Sequence, residues 1–214
     1  QDEPRESYSR GTVPLPLVPD WVGTRIRATG GMAWGDADGD GDLDLAVGTY
    51  FANQYPPLVD YYNFIYLNQG GVLEANPSWI SSDQIHTSEV VWGDFNGDQR
   101  PDMFCANGGS SLSPSQVFYG QDGLLATTAG WQSATSVWST GAAAADFDRD
   151  GDLDVATSNQ GSSSSPYRPT YLFRNTGSGL QVTFFWQSSQ VGITGSVAWG
   201  DMDGDQYPDL AVSG

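Results

Sequence analysis

A chain of 214 residues can bury a real core as one domain or one repeat array, and no apolar run in it approaches the roughly 20 residues of a membrane helix. Its net charge of −18, with eight basic residues that are all arginine, excludes the Lys/Arg patches that nucleic-acid binding needs. A single cysteine, Cys105, permits no internal disulfide and lies in the apolar run 103–106, where it reads as a small buried hydrophobe.

In chain order, the first feature is Tyr8 followed 13 residues later by Trp21. A short apolar stretch, 31–34, leads into an aspartate-rich segment, 36–44, and a second apolar stretch, 43–47, overlaps its end. A polar connection, 50–62, precedes the β-rich run 64–67, and a fourth run leads to Trp79. The same order returns three times. The second unit has 90–92, the segment 94–102, then 103–106, 117–119 and Trp131. The third has 142–145, the segment 146–154, then 153–156, 171–173 and the run 180–186 that ends on Trp186. The fourth has 197–199, the segment 201–209 and 210–212. The first aspartates of the four segments are 58, 52 and 55 residues apart, and Trp21, Trp79, Trp131 and Trp186 each lie 15 residues before one of them.

Each period thus predicts four short strands, A to D, joined by Gly/Asn/Ser turns, with no helical periodicity. Units of four strands repeating every 50-odd residues predict an all-β propeller of four four-stranded blades, a single repeat domain over 1–214. Tyr66 and Phe173 also lie 13 residues before a landmark tryptophan, as Tyr8 does. Residues 1–21 are therefore expected to supply ring-closing or exchanged strands C and D for the last blade, from within the chain or from a neighbour. A homo-oligomer or filament by strand exchange is the partner this implies, because unpaired sheet edges are a liability.

Of 22 aspartates, 17 fall within the four nine-residue segments, where a solvated surface would scatter them. Calcium takes about six to eight oxygen ligands, and alternating carboxylates on a tight turn supply them. In the first loop Asp36, Asp38, Asp40 and Asp44 hold positions 1, 3, 5 and 9, and Asp42 at position 7 offers its backbone carbonyl. The second has Asp94, Asn96, Asp98 and Asp102, with Arg100 at position 7. The third has Asp146, Asp148, Asp150 and Asp154, with Asp152 at position 7. The fourth has Asp201, Asp203, Asp205 and Asp209, with Tyr207 at position 7. No glutamate stands at position 12, so these are not EF-hands. About four calcium sites are expected. Position 6 is Gly41 and Gly151 in loops one and three, which admits a positive φ, but Gln99 and Gln206 in the others. Loops one and three are expected to be the stronger pair, and loop two the weakest because Asn96 removes a charge.

The motifs 95–98 with Pro101-Asp102, and 146–154, resemble the FG-GAP/VCBS-type calcium-binding repeats of integrin-α-like propellers. The resemblance implies calcium loops between strands A and B of each blade, in proteins that are usually extracellular. It implies roles in adhesion, glycan binding or scaffolding, and sometimes in polysaccharide-cleaving enzymes. Such propellers usually have about seven blades; four repeats are present here.

Catalysis finds little support. His86 is the sole histidine and reads as an ordinary loop residue; no Ser/His/Asp or Cys/His set can be assembled beyond it, and no second soft ligand exists for a catalytic zinc. A glycosidase pair would have to come from Asp60, Asp83 or Glu89, to which no motif points. The expectation is a secreted or cell-surface calcium-binding module with a structural, adhesive or self-assembling role and no enzyme activity. The alternative is a lectin-like module or part of a polysaccharide-active enzyme. A glycan or protein ligand would meet the B–C loops, with Tyr55, Tyr61, Tyr62, Tyr167 and Arg168. The chain begins at Gln1 with no signal peptide, as expected of a processed secreted product.

Overall fold

The structure is a computed structural model that describes residues 19, 21–25, 28–50, 61–109, 111–162 and 165–214. Every regular element among these residues is a strand. In chain order they are β1 (Thr29–Gly35), β2 (Asp44–Thr49), β3 (Phe64–Tyr66), β4 (Trp79–Ile80), β5 (Thr87–Gly93), β6 (Asp102–Asn107), β7 (Ser113–Phe118), β8 (Trp131–Ala145), β9 (Asp154–Ser162), β10 (Ser165–Tyr167), β11 (Tyr171–Phe173), β12 (Trp186–Gln187), β13 (Ser196–Gly200) and β14 (Asp209–Ser213).

The first unit is the antiparallel sheet β1-β2-β3-β4, in sequence order. The second is β5-β6-β7 completed by the first half of β8, and the third is the second half of β8 with β9, β11 and β12. The fourth is the pair β13-β14. The fold is thus all-β and propeller-like, built of antiparallel units in A-B-C-D order. No sheet closes on itself among the described residues. The strands expected within 1–21 lie outside the described residues except for Pro19 and Trp21, and so does segment 51–60 with Tyr55 and Asp60.

One element departs from the expected pattern. Strand D of the second unit and strand A of the third were expected as separate runs, but β8 passes through both without a break over 15 residues. Its first part pairs with β7, from Trp131 opposite Val117 to Val137 opposite Ser113. Trp138 opposite Gln160 then begins the pairing with β9. Trp138, the one tryptophan that fits neither repeat landmark, therefore marks the handover, and its ring lies 6.4 Å from that of Tyr50.

The A–B register is identical in all four units. Gly35 faces Asp44, Gly93 faces Asp102, Ala145 faces Asp154 and Gly200 faces Asp209. The aspartate loop is in each case the connection between two ladder-paired strands, and its position 9 is the first residue of strand B.

Alternation along strand B places the core between units rather than within them. On β6, Met103 and Cys105 join Ala46, Ile65 and Trp79 of the first unit, whereas Phe104 and Ala106 join Val155, Tyr171 and Phe173 of the third. Further layers lie outside these two. Leu45, Val47, Phe64 and Tyr66 pack with Trp21, and Ala156 and Leu172 pack with Val197, Trp199 and Leu210. Strand A glycines let neighbouring units approach closely: a Cβ on Gly30 would fall 2.1 Å from the Thr87 carbonyl oxygen.

Candidate metal centres

Each loop folds on itself through its own carboxylates. The position 1 aspartate accepts from backbone N–H groups three to five residues on: Gly41 to Asp36, Gly97 and Gln99 to Asp94, Gly151 to Asp146, Gly204 and Gln206 to Asp201. The position 5 aspartate accepts from the N–H of position 7 in all four loops, at 2.8–3.1 Å. These turns need a backbone that curls left-handedly at two places. Position 6 has φ of 96° at Gly41 and 98° at Gly151, but also 68° at Gln99 and 72° at Gln206. Position 4 has φ of 77° at Gly39 and Gly97, 81° at Gly204 and 62° at Arg149. All four loops therefore share one conformation. The glutamines, expected to set loops two and four apart, adopt the glycine-like angle at a cost of about 1 kcal/mol each.

Position 9 does more than the sequence suggests. Asp44, Asp102 and Asp154 are buried and use both carboxylate oxygens. One oxygen accepts from the N–H of position 2 (Ala37, Phe95 or Phe147), at 2.7, 2.8 and 3.1 Å. The other accepts from the residue just after strand C (Asn68, Gly120 or Asn175), at 2.7 Å in each case. The residue thus ties its own loop to the far end of strand C. Asp209 keeps the first bond, from Met202 at 2.9 Å, but its unit has no strand C among the described residues.

Carboxylates converge in three of the loops. One oxygen each from Asp36, Asp38 and Asp40 lie within 4.8 Å of one another, as do those of Asp146, Asp148 and Asp154, and those of Asp201, Asp203 and Asp209. Among the described residues loop two forms no such trio; Asn96 holds position 3 there, and its amide donates to Asp98 Oδ2 at 3.2 Å. Two carboxylate oxygens, Asp36 Oδ1 and Asp148 Oδ1, are buried with no hydrogen-bond partner. A buried anionic oxygen facing other carboxylates without a donor is costly. A hard cation is the group that removes that cost, and an all-oxygen donor set suits calcium or magnesium rather than zinc.

The protonation equilibria reflect the same crowding. Burial, opposed by the two backbone N–H bonds and helped by neighbouring aspartates, pushes the Asp102 and Asp154 carboxyls up to about 6. Asp38 is raised as well, chiefly by burial, with Asp44, Asp40 and Asp36 adding to it.

Three of the position 7 side chains are engaged elsewhere. Asp42 Oδ2 accepts from Gly70 N–H at 2.8 Å, Arg100 pairs with Asp122 at 2.7 Å, and Tyr207 lies under the Arg149 guanidinium. One charged neighbour was not anticipated. Arg174, next to the end of strand C of the third unit, pairs with Asp148 Oδ2 at 2.5 Å and Asp150 Oδ2 at 3.4 Å. The corresponding residues before Asn68 and Gly120 are Leu67 and Tyr119, so among the first three loops the third alone has a cation at this place among the described residues.

His86 is buried, with Tyr61 edge-on at 4.0 Å, and burial lowers its pKa. The Tyr62 hydroxyl accepts from Gln84 at 2.8 Å, the Asp83 carboxylate accepts from Gln116 at 2.9 Å, and Tyr167 is exposed.

Residues 94–157, from the start of loop two into β9, match the family model of the FG-GAP-like repeat. No curated protein matches the chain.

Proposed function

From the FG-GAP-like repeat matched over residues 94–157, we propose that this chain is a calcium-stabilised extracellular module whose role is structural or adhesive rather than catalytic. The observation that carries the reading is the pair of buried, donor-less oxygens on Asp36 and Asp148 inside loops whose other carboxylates converge on the same point. Calcium there would be held by positions 1, 3 and 5 with the position 7 carbonyl, and by position 9. It would supply charge neutralisation, not chemistry on a substrate. The chain's own part is to pre-form the loop, through its internal N–H bonds, before metal arrives.

Calcium is preferred over magnesium because the loops offer many carboxylates in one turn, whereas magnesium keeps several waters and a stricter octahedron. FG-GAP-type repeats are typical of extracellular proteins, where millimolar calcium keeps weak sites filled. Calorimetric titration of the metal-free chain is expected to find several calcium sites. At 100 times Kd each independent site adds about 2.7 kcal/mol, or about 5–10 °C of Tm for a chain of this size. A Tm that does not change on chelation would remove the proposal.

A further inference from the structure

Loop two differs from the others at a group that its own backbone can change. Position 3 is an acid in loops one, three and four (Asp38, Asp148 and Asp203), but in loop two it is the amide Asn96, followed by Gly97. Asparagine before glycine is the pair most open to attack by the backbone on its own side chain, because glycine has no Cβ to shield the nitrogen. The sequence holds two such pairs, Asn96-Gly97 and Asn107-Gly108, and their surroundings are opposite.

Around Asn96-Gly97 the groups that the reaction needs are in place. The attacking nitrogen, that of Gly97, donates its hydrogen to Asp94 Oδ1 at 2.7 Å, which raises the electron density on the nitrogen. The oxygen on which charge builds, Asn96 Oδ1, accepts from the Asp98 N–H at 2.9 Å. The leaving nitrogen, Asn96 Nδ2, makes an exposed bond to Asp98 Oδ2 at 3.2 Å. Gly97 is exposed, so water reaches the bond. Asn107 is the reverse case. It is fully buried, its amide nitrogen donates to the Pro114 carbonyl and to Gln116 Oε1 at 3.0 and 2.9 Å, and its oxygen accepts from Thr87 at 2.8 Å. The Gly108 N–H is committed to the His86 carbonyl at 2.8 Å.

We propose that Asn96 is a self-modification site, at which loop two converts its position 3 amide into the carboxylate that the other loops encode. The Gly97 nitrogen bonds to Asn96 Cγ and the Cγ–Nδ2 bond breaks. The side-chain nitrogen leaves as ammonia, taking the Gly97 proton, and a five-membered imide remains. Water then opens the imide. Opening at Cγ puts one water hydrogen on the Gly97 nitrogen, restores the main chain and leaves aspartate at position 96. Opening at the main-chain carbonyl of residue 96 leaves isoaspartate, with an extra methylene in the backbone. The consequence rests on the calcium reading above: the converted loop gains an anionic ligand and binds more tightly. The metal-free loop also converts faster than the filled one, in which Asp94 and Asn96 are taken up as ligands.

The test incubates the full chain at mildly alkaline pH, in chelator and in calcium, and follows Asn96 and Asn107 by peptide mass spectrometry. In chelator Asn96 is expected to gain the mass of an amide-to-acid change, with true aspartate among the products, while Asn107 stays intact. Gly97→Ala should suppress the change; loop three already carries a side chain at this place, Arg149, with a φ of 62°, and circular dichroism checks the fold. Asn96→Asp, the product made directly, should tighten one calcium site about fivefold in calorimetry, the effect of one more carboxylate at a partly exposed site. An Asn96 that stays as intact as Asn107, or that yields isoaspartate alone, overturns the proposal. Conversion at equal rates in chelator and calcium, with Asn96→Asp binding no more tightly, leaves the modification standing and instead removes the calcium reading of loop two.

Discussion

At the level of single residues, the aspartates of one loop hold two different offices. Asp98 is exposed and serves the loop alone, whereas Asp102 is buried and holds the N–H groups of Phe95 and Gly120. Asp102→Ala strands both donors and is expected to cost about 2–4 kcal/mol already in chelator. Asp98→Ala should be near neutral in chelator and lose stability only when calcium is present. Denaturant melts of both variants in the two conditions separate a ligand that is also a structural tie from a ligand alone; equal behaviour in chelator would contradict the distinction. The sequence could not reveal it, because position 9 looks like any ligand until strand C arrives 24, 18 or 21 residues later to meet it. Arg174 was equally hidden, since its target is a loop more than 20 residues upstream. A cation tethered to Asp148 and Asp150 opposes a second cation at the same carboxylates. Arg174→Leu, matching the residue at 67, should tighten calcium binding at one site about fivefold, the worth of a partly exposed ion pair of about 1 kcal/mol. Calorimetry that finds no site strengthened would show that the arginine stands clear of the metal.

At the level of elements, what could be read in advance is whatever recurs at fixed spacing. Four loops with one A–B register follow from the aspartates, and the landmark tryptophans lie where D strands meet the next unit. What could not be read is whatever depends on one unit's neighbours. The fusion of D and A into β8 leaves no mark in the pattern, because the distance from Trp131 to Asp146 is the same 15 residues as in the other units. The positive φ at position 4 was also concealed, because Arg149 adopts it without being glycine. The tryptophan contacts carry a quantitative expectation. Trp79→Phe removes an indole N–H from a buried carbonyl together with part of the ring that fills the layer between the first two units, and should cost about 1–3 kcal/mol. Trp34→Phe, at an indole that is 56% exposed, should stay within about 0.5 kcal/mol. Similar losses at the two sites would mean that the indole bonds do not distinguish a buried junction from an open one.

At the level of the whole molecule, the charge that makes the loops competent also strains the metal-free fold. Asp102 and Asp154 titrate near pH 6 when folded, against an ordinary value of 3.8. Between those values the folded chain holds more protons than the unfolded one, so these groups favour folding at the acid end and lose that contribution as pH rises toward 6. The net charge of −18 acts in the same direction, because 17 of 22 aspartates are gathered in the loops and repel one another as they ionise. In chelator, Tm is therefore expected to fall as pH is raised from 5 to 7. Calcium reverses the sign, since a metal requires its carboxylates deprotonated and competes with protons for them. With calcium in excess, Tm should rise over the same interval, so the calcium-dependent gain is small at pH 5 and large at pH 7. Thermal melts at constant ionic strength read both curves directly. Parallel curves would mean that the buried carboxylates gain nothing from the ion, and chelator and calcium curves that diverge with rising pH would tie the loops' acidity to the stability of the stacked units.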